Sequence, residues 1–76
     1  MRLHLGGYLN FYSPKRQSDF ELKLKDPTPL TEVLKKVTLP AGDVFLAVVN
    51  GQLVDLQAAV VGNDDRVELY PPMGGG

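Results

Sequence analysis

Val44-Phe45-Leu46-Ala47-Val48-Val49-Asn50-Gly51-Gln52-Leu53-Val54 is the stretch that decides the fold. Its first six residues are apolar without a break, rich in β-branched types, and bounded by Gly42-Asp43 and Asn50-Gly51. Such a run is too short for a buried helix and reads as a central strand. Asn50-Gly51 is the strongest hairpin signal in the chain, because a type I′ turn needs positive φ at both central residues. Gln52-Leu53-Val54 then returns as a short antiparallel partner.

Downstream, residues 55–62 are open between a loop and a short helical turn, and Gly62-Asn63-Asp64-Asp65 is a turn. Arg66-Val67-Glu68-Leu69-Tyr70 alternates, placing Val67 and Leu69 inward. Upstream the period changes to that of a helix. Leu30, Val33, Leu34 and Val37 fall on one face, with Glu32, Lys35 and Lys36 turned to water. Thr28 offers a capping side chain, Pro29 suits the first helical position, and Leu39-Pro40-Ala41-Gly42 ends a helix of about ten residues. Two alternating segments precede it: Met1, Leu3 and Leu5 against Arg2 and His4, then Phe20, Leu22 and Leu24 against Glu21, Lys23 and Lys25. The residues between them suit a hairpin with a long loop.

The order is strand, strand, helix, strand, short strand, strand: an α+β chain in which one amphipathic helix covers a mixed sheet of four to five strands. If the first and last strands pair in parallel at the centre, the fold is a ubiquitin-like β-grasp over residues 1–70, with 71–76 as a flexible glycine tail. The expected core is Leu3, Leu5, Leu22, Leu24, Leu30, Val33, Val37, Val67 and Leu69.

Composition narrows the chemistry. A chain of 76 residues buries only roughly 60% of its unfolded surface, which leaves no room for a second domain or a large cleft. With no cysteine, disulfides, thiolate metal sites and a cysteine nucleophile are excluded. A net charge of -1 with dispersed lysines lacks the basic patch that nucleic acid requires. No apolar run approaches the roughly 20 residues of a membrane span, and Met1-Arg2-Leu3-His4-Leu5-Gly6 reaches glycine too early for a signal peptide. The expectation is a soluble cytoplasmic protein, monomeric when free. His4 is the only histidine and reads as a solvated strand-face residue, since no motif joins it to Ser13 or Ser18. Asp64-Asp65 reads as turn chemistry, not a cation shell, and no metal site is expected. Gly6-Gly7 lacks the spacing and lysine of a phosphate loop and reads as a bulge or bend.

The last six residues, Pro71-Pro72-Met73-Gly74-Gly75-Gly76, have little to do in folding, because glycine buries no side chain and loses the most backbone entropy on ordering. A frayed or truncated end is one account. The prolines favour another: they cannot extend a sheet, they prefer an extended conformation, and six such residues reach roughly 20 Å, enough to enter a narrow site on another protein.

Ala47-Val48-Val49-Asn50-Gly51, Asp65-Arg66-Val67-Glu68-Leu69-Tyr70 and this ending together resemble the MoaD/ThiS family of ubiquitin-like sulfur carriers, across the whole chain. The Pro-Pro-x-x-Gly-Gly ending and the long first hairpin through Tyr8, Phe11 and Tyr12 are most similar to the molybdopterin synthase small subunit. The triple glycine and the Val-Asn-Gly turn are similar to the thiazole carrier as well. One departure is Gly62-Asn63-Asp64-Asp65, where the family usually has Asp-Gly-Asp, so an altered turn is expected there.

The resemblance implies a cosubstrate, not an enzyme. An E1-like adenylating enzyme of the MoeB/ThiF type would activate the carboxylate of Gly76 with ATP and magnesium, themselves bound to that partner. Sulfur from a persulfide donor would then give a thiocarboxylate. A larger synthase subunit, of the MoaE or thiazole synthase type, would receive the sulfur for molybdopterin, tungstopterin or thiamine thiazole synthesis. Gly75, Gly74, Met73, Pro72 and Pro71 would thread into the partner. If Ala47 and Val49 face the helix, Leu46 and Val48 turn outward beside Glu68 and Tyr70 as a docking patch; the competing account has both faces of that strand covered within the domain. Two further roles use the same residues: a protein modifier joined through Gly76 to lysine, and a ubiquitin-like interaction module whose tail is inert.

Overall fold

The computed structural model describes residues 1–72. In chain order it contains β1 (Arg2–Leu5), β2 (Asp19–Glu21), β3 (Thr28–Pro29), α1 (Leu30–Lys36), β4 (Leu46–Val49), β5 (Gln52–Val54), β6 (Val60–Val61) and β7 (Arg66–Tyr70). Five strands form one mixed sheet in the order β2-β1-β7-β4-β5, while β3 and β6 form a separate two-stranded ladder. The central pair, β1 and β7, is parallel, with Leu3 opposite Val67 and Leu5 opposite Leu69. The other neighbours are antiparallel. This is the ubiquitin-like β-grasp.

The Asn50-Gly51 turn closes with φ of 51° and 83°, the left-handed pair that a two-residue type I′ loop requires. The asparagine also fastens β7: its backbone N–H donates to Arg66 O at 2.8 Å, and its Oδ1 accepts the Arg66 N–H at 2.9 Å. The run 44–49 is shorter as a strand than its sequence suggests. Phe45 still donates its N–H to Tyr70 O at 2.7 Å, but the residue is 64% exposed.

The helix is seven residues long, not about ten, and its N-terminus is built differently from expectation. Thr28 and Pro29 pair with Val61 and Val60, and the hydroxyl of Thr28 turns back to Asp26 O instead of capping. Pro29 is the N-cap residue, and the first helical N–H, on Leu30, is taken by the carbonyl of Ala59 at 2.9 Å. A tertiary backbone acceptor therefore does what a side-chain cap would do. The C-terminus closes as a Schellman motif: Leu39 N–H to Leu34 O at 2.9 Å and Thr38 N–H to Lys35 O at 3.2 Å, with Thr38 at φ 55°.

The helical stripe Leu30, Val33, Leu34 and Val37 is buried against Leu3, Leu5, Val67 and Leu69. Met1, Leu24, Leu39, Ala47 and Val61 complete this core, and Leu9 joins it from the first long loop. Leu22, expected to be buried, is half-buried at its margin. The reason is that β2 ends at Glu21: Leu22 still exchanges bonds with Met1, but the Leu24 N–H goes to Asn63 Oδ1 at 2.9 Å, which carries the chain off the sheet. The long loop is ordered into 3₁₀ turns, Gly7–Tyr12 and Pro14–Arg16, tied by Ser13 Oγ to Gln17 O at 2.6 Å.

The turn at 62–65 does not depend on the conformational freedom of glycine. None of its residues has positive φ. Asp65 holds the loop by accepting the Gly62 N–H at 2.7 Å and the Asn50 side-chain amide at 2.9 Å. Both oxygens of this carboxylate are thus engaged in the turn, and these bonds hold its pKa below the ordinary 3.8.

Candidate functional site

Because side chains alternate along a strand, burying Ala47, Val67 and Leu69 under the helix sends their neighbours to the opposite face of the sheet. The register places Leu46 opposite Tyr70 and Val48 opposite Glu68 on that outer face. Leu46 and Val48 are half-buried and stand outside the core cluster, so this face of β4 is not covered within the domain. Across the hairpin Val48 lies opposite Leu53, which is 67% exposed. Together these side chains make an apolar strip over β4, β5 and the end of β7.

The other half of the same face is polar. His4 Nδ1 lies 3.0 Å from Asp19 Oδ1, and Arg2 pairs with Glu21 at 3.2 Å. Between the two halves, Glu68 Oε1 accepts the Tyr70 hydroxyl at 2.6 Å, which together with burial raises the pKa of that phenol. His4 is therefore paired to a carboxylate and borders the Tyr70 ring at 5.9 Å between centroids; no nucleophilic side chain completes a catalytic arrangement with it among these contacts.

The chain leaves the sheet at Tyr70. Its carbonyl accepts the last ladder bond, from Phe45, after which Pro71 is half-buried and Pro72 exposed. Tyr70, Glu68, Val48 and Leu46 are thus brought together at the root of the tail, with Pro71 and Pro72 following. Met73, Gly74, Gly75 and Gly76, and the expectation of a flexible tail, lie outside the described residues. Leu53 was not singled out from sequence. Leu53 was accessible to it, since a two-residue loop puts Gln52 opposite Val49 and therefore Leu53 opposite Val48. A groove of about 640 Å³ between β2 and the end of α1, floored by Phe20, Leu22 and Val37, shares no residue with the apolar strip.

A β-grasp domain whose central last strand runs into Pro-Pro and a glycine sequence, beside an uncovered apolar strip, belongs among the ubiquitin-like proteins. More narrowly, the chain belongs to the ThiS family, whose model matches residues 8–76. Members of that family are small ubiquitin-like sulfur carriers, non-catalytic themselves, that work with E1-like activating enzymes and synthase partners. No individual curated protein matches the chain. Among the described residues no helix is long and apolar enough to cross a membrane.

Proposed function

We propose that this carrier serves molybdopterin-type cofactor synthesis, with Gly76 as the residue that bears sulfur. The observation that carries the reading is the ending Pro71-Pro72-Met73-Gly74-Gly75-Gly76 directly after a strand anchored at Tyr70. A carboxylate is resonance-stabilised and a poor acyl donor, so it must be activated. An E1-like partner adenylates Gly76 with ATP, releasing pyrophosphate and leaving a mixed anhydride. A persulfide then displaces AMP, and a thiol reductively frees the thiocarboxylate. Glycines 74 to 76 let the partner close around bare backbone, since no Cβ intrudes. Leu46, Val48, Glu68 and Tyr70 form the docking strip, and the apolar side chains flanked by charge suit a partner surface.

The experiment is incubation with an E1-like enzyme, ATP, magnesium and a persulfide donor, followed by intact-protein mass spectrometry. Replacement of one carboxylate oxygen by sulfur is the expected result. The charged carrier is then offered to a molybdopterin synthase large subunit and to a thiazole synthase. Transfer to the first alone is expected. Transfer to the second alone supports the thiazole carrier, a reading favoured by the triple glycine and the Asn50-Gly51 turn. An isopeptide-linked ladder in lysate supports a protein modifier, and no activation by a cognate enzyme supports an interaction module.

A further inference from the structure

β1 and β7 run parallel with Leu5 opposite Leu69, so the residues after each strand travel side by side: Gly6 beside Tyr70 and Gly7 beside Pro71. The approach leaves no space for a side chain. A Cβ on Gly6 would stand 2.7 Å from Tyr70 Cε1, closer still to Cδ1, and 3.3 Å from Leu69 O. A Cβ on Gly7 would stand 2.7 Å from Pro71 Cγ, on a backbone with φ of +53°. Gly6 itself is extended, φ -80° and ψ 164°, a conformation open to any residue. What excludes a side chain there is therefore the Tyr70 ring and not the backbone.

Four further contacts fix the same point. Gly6 N–H donates to Leu69 O at 2.8 Å from one side, and Phe45 N–H donates to Tyr70 O at 2.7 Å from the other. The Tyr70 ring leans over β1 toward His4, with its hydroxyl held by Glu68.

The geometry points to Gly6 and Gly7 as positioning residues: a seat without side chains that receives the Tyr70 and Pro71 rings and so sets where, and in which direction, the C-terminal segment leaves the domain. This role rests on the sulfur-carrier reading, in which the segment beyond Pro72 must place the Gly76 carboxylate against ATP on a partner docked to the outer sheet face. The seat touches no reacting atom. It fixes the root of a short lever, and a misplacement of about 1 Å at a reacting centre costs roughly a hundredfold in rate. Its effect belongs in the chemical step and not in docking.

The test is ATP–pyrophosphate exchange by a cognate E1-like enzyme on the full chain and on Gly7→Asn, Pro71→Ala and the double variant, with melting temperatures measured alongside. Asparagine tolerates left-handed backbone, so the new Cβ against Pro71 is the main perturbation. With melting temperature near native and KM unchanged, kcat of Gly7→Asn should fall roughly ten- to a hundredfold. Pro71→Ala should lose less, and the double variant no more than Pro71→Ala alone, since the ring that the asparagine meets is gone. Native kcat in Gly7→Asn, losses that simply add, or a raised KM at unchanged kcat would overturn the seat. If Gly7→Asn does not fold, Pro71→Ala decides, because Pro71 lies beyond the last ladder bond; native kcat there overturns the proposal. Absence of exchange with the native chain overturns the sulfur-carrier reading itself, whereas native exchange with unaffected variants overturns the seat alone.

Discussion

Leu69 stands at the meeting point of three strands, opposite Leu5 on β1 and Ala47 on β4, with no exposed surface. Truncating it opens a cavity that neither neighbour can fill without breaking register. Leu69→Ala should therefore lose about 2–5 kcal/mol, out of the roughly 5–15 kcal/mol typical of a whole domain, read from urea midpoints at unchanged slope. Asp65 makes a different argument. Its ionised form is stabilised first by the Gly62 N–H and then by the Asn50 amide, which places its folded pKa below its unfolded value. The stability it contributes is complete above the unfolded value of 3.8 and is lost as pH falls through the lower folded pKa. Asp65→Asn removes that titration, so urea midpoints followed from neutral pH downward should fall less steeply in the variant than in the native chain.

At the scale of the element, α1 ends on a β-branched residue in left-handed conformation, Thr38 at φ 55°. Glycine is the usual occupant of that position in a Schellman motif, and threonine pays a steric cost there. Thr38→Gly should stabilise the domain by about 1 kcal/mol, seen as a rise in melting temperature of several degrees. The sheet's outer face supplies a second prediction. Val48 stands outside the core cluster, so Val48→Asp should keep the melting temperature near native while weakening binding to the E1-like enzyme at least tenfold, about 1.4 kcal/mol, by titration calorimetry. Unfolding of this variant, or unchanged binding, would refute the assignment of the strip. These elements also show what was legible in the sequence. The helical stripe, the Asn50-Gly51 turn and the inward faces of β1 and β7 follow from periodicity and turn chemistry, which are local. The N-terminus of α1 was not legible: a local cap was read at Thr28, but the donor on Leu30 is satisfied by Ala59, nearly thirty residues away. The β3–β6 ladder and the burial of Leu9 were missed for the same reason, since two-residue strands and 3₁₀ turns carry no period. Of the site, Leu46, Val48, Glu68 and Tyr70 were placed by alternation alone, whereas the Gly6–Tyr70 approach arises only from parallel pairing of the chain's two ends.

For the whole molecule, that pairing has a consequence for how stability and function divide. The first and last strands meet at the centre of the sheet, so the domain is closed by β7, and Tyr70 supplies a ladder bond from Phe45, a ring against Gly6 and a hydroxyl on Glu68. Pro71 adds a ring against Gly7, and beyond it the sequence offers Pro72, Met73 and three glycines. Residues without side chains contribute little burial, while an acyl transfer at Gly76 depends wholly on a free carboxylate at that position. Stability and activity should therefore separate cleanly in this segment. Deleting Gly76, or appending one residue after it, should change unfolding free energy by no more than about 0.5 kcal/mol, since a glycine brings no side chain to pack. Exchange of oxygen for sulfur should vanish in both variants. The measurement is chemical denaturation paired with intact-mass analysis after incubation with the E1-like enzyme, ATP and a persulfide donor. Sulfur incorporation in either variant, or a destabilisation well beyond that limit, would show that Gly76 is not the reacting end and that the last residues belong to the fold.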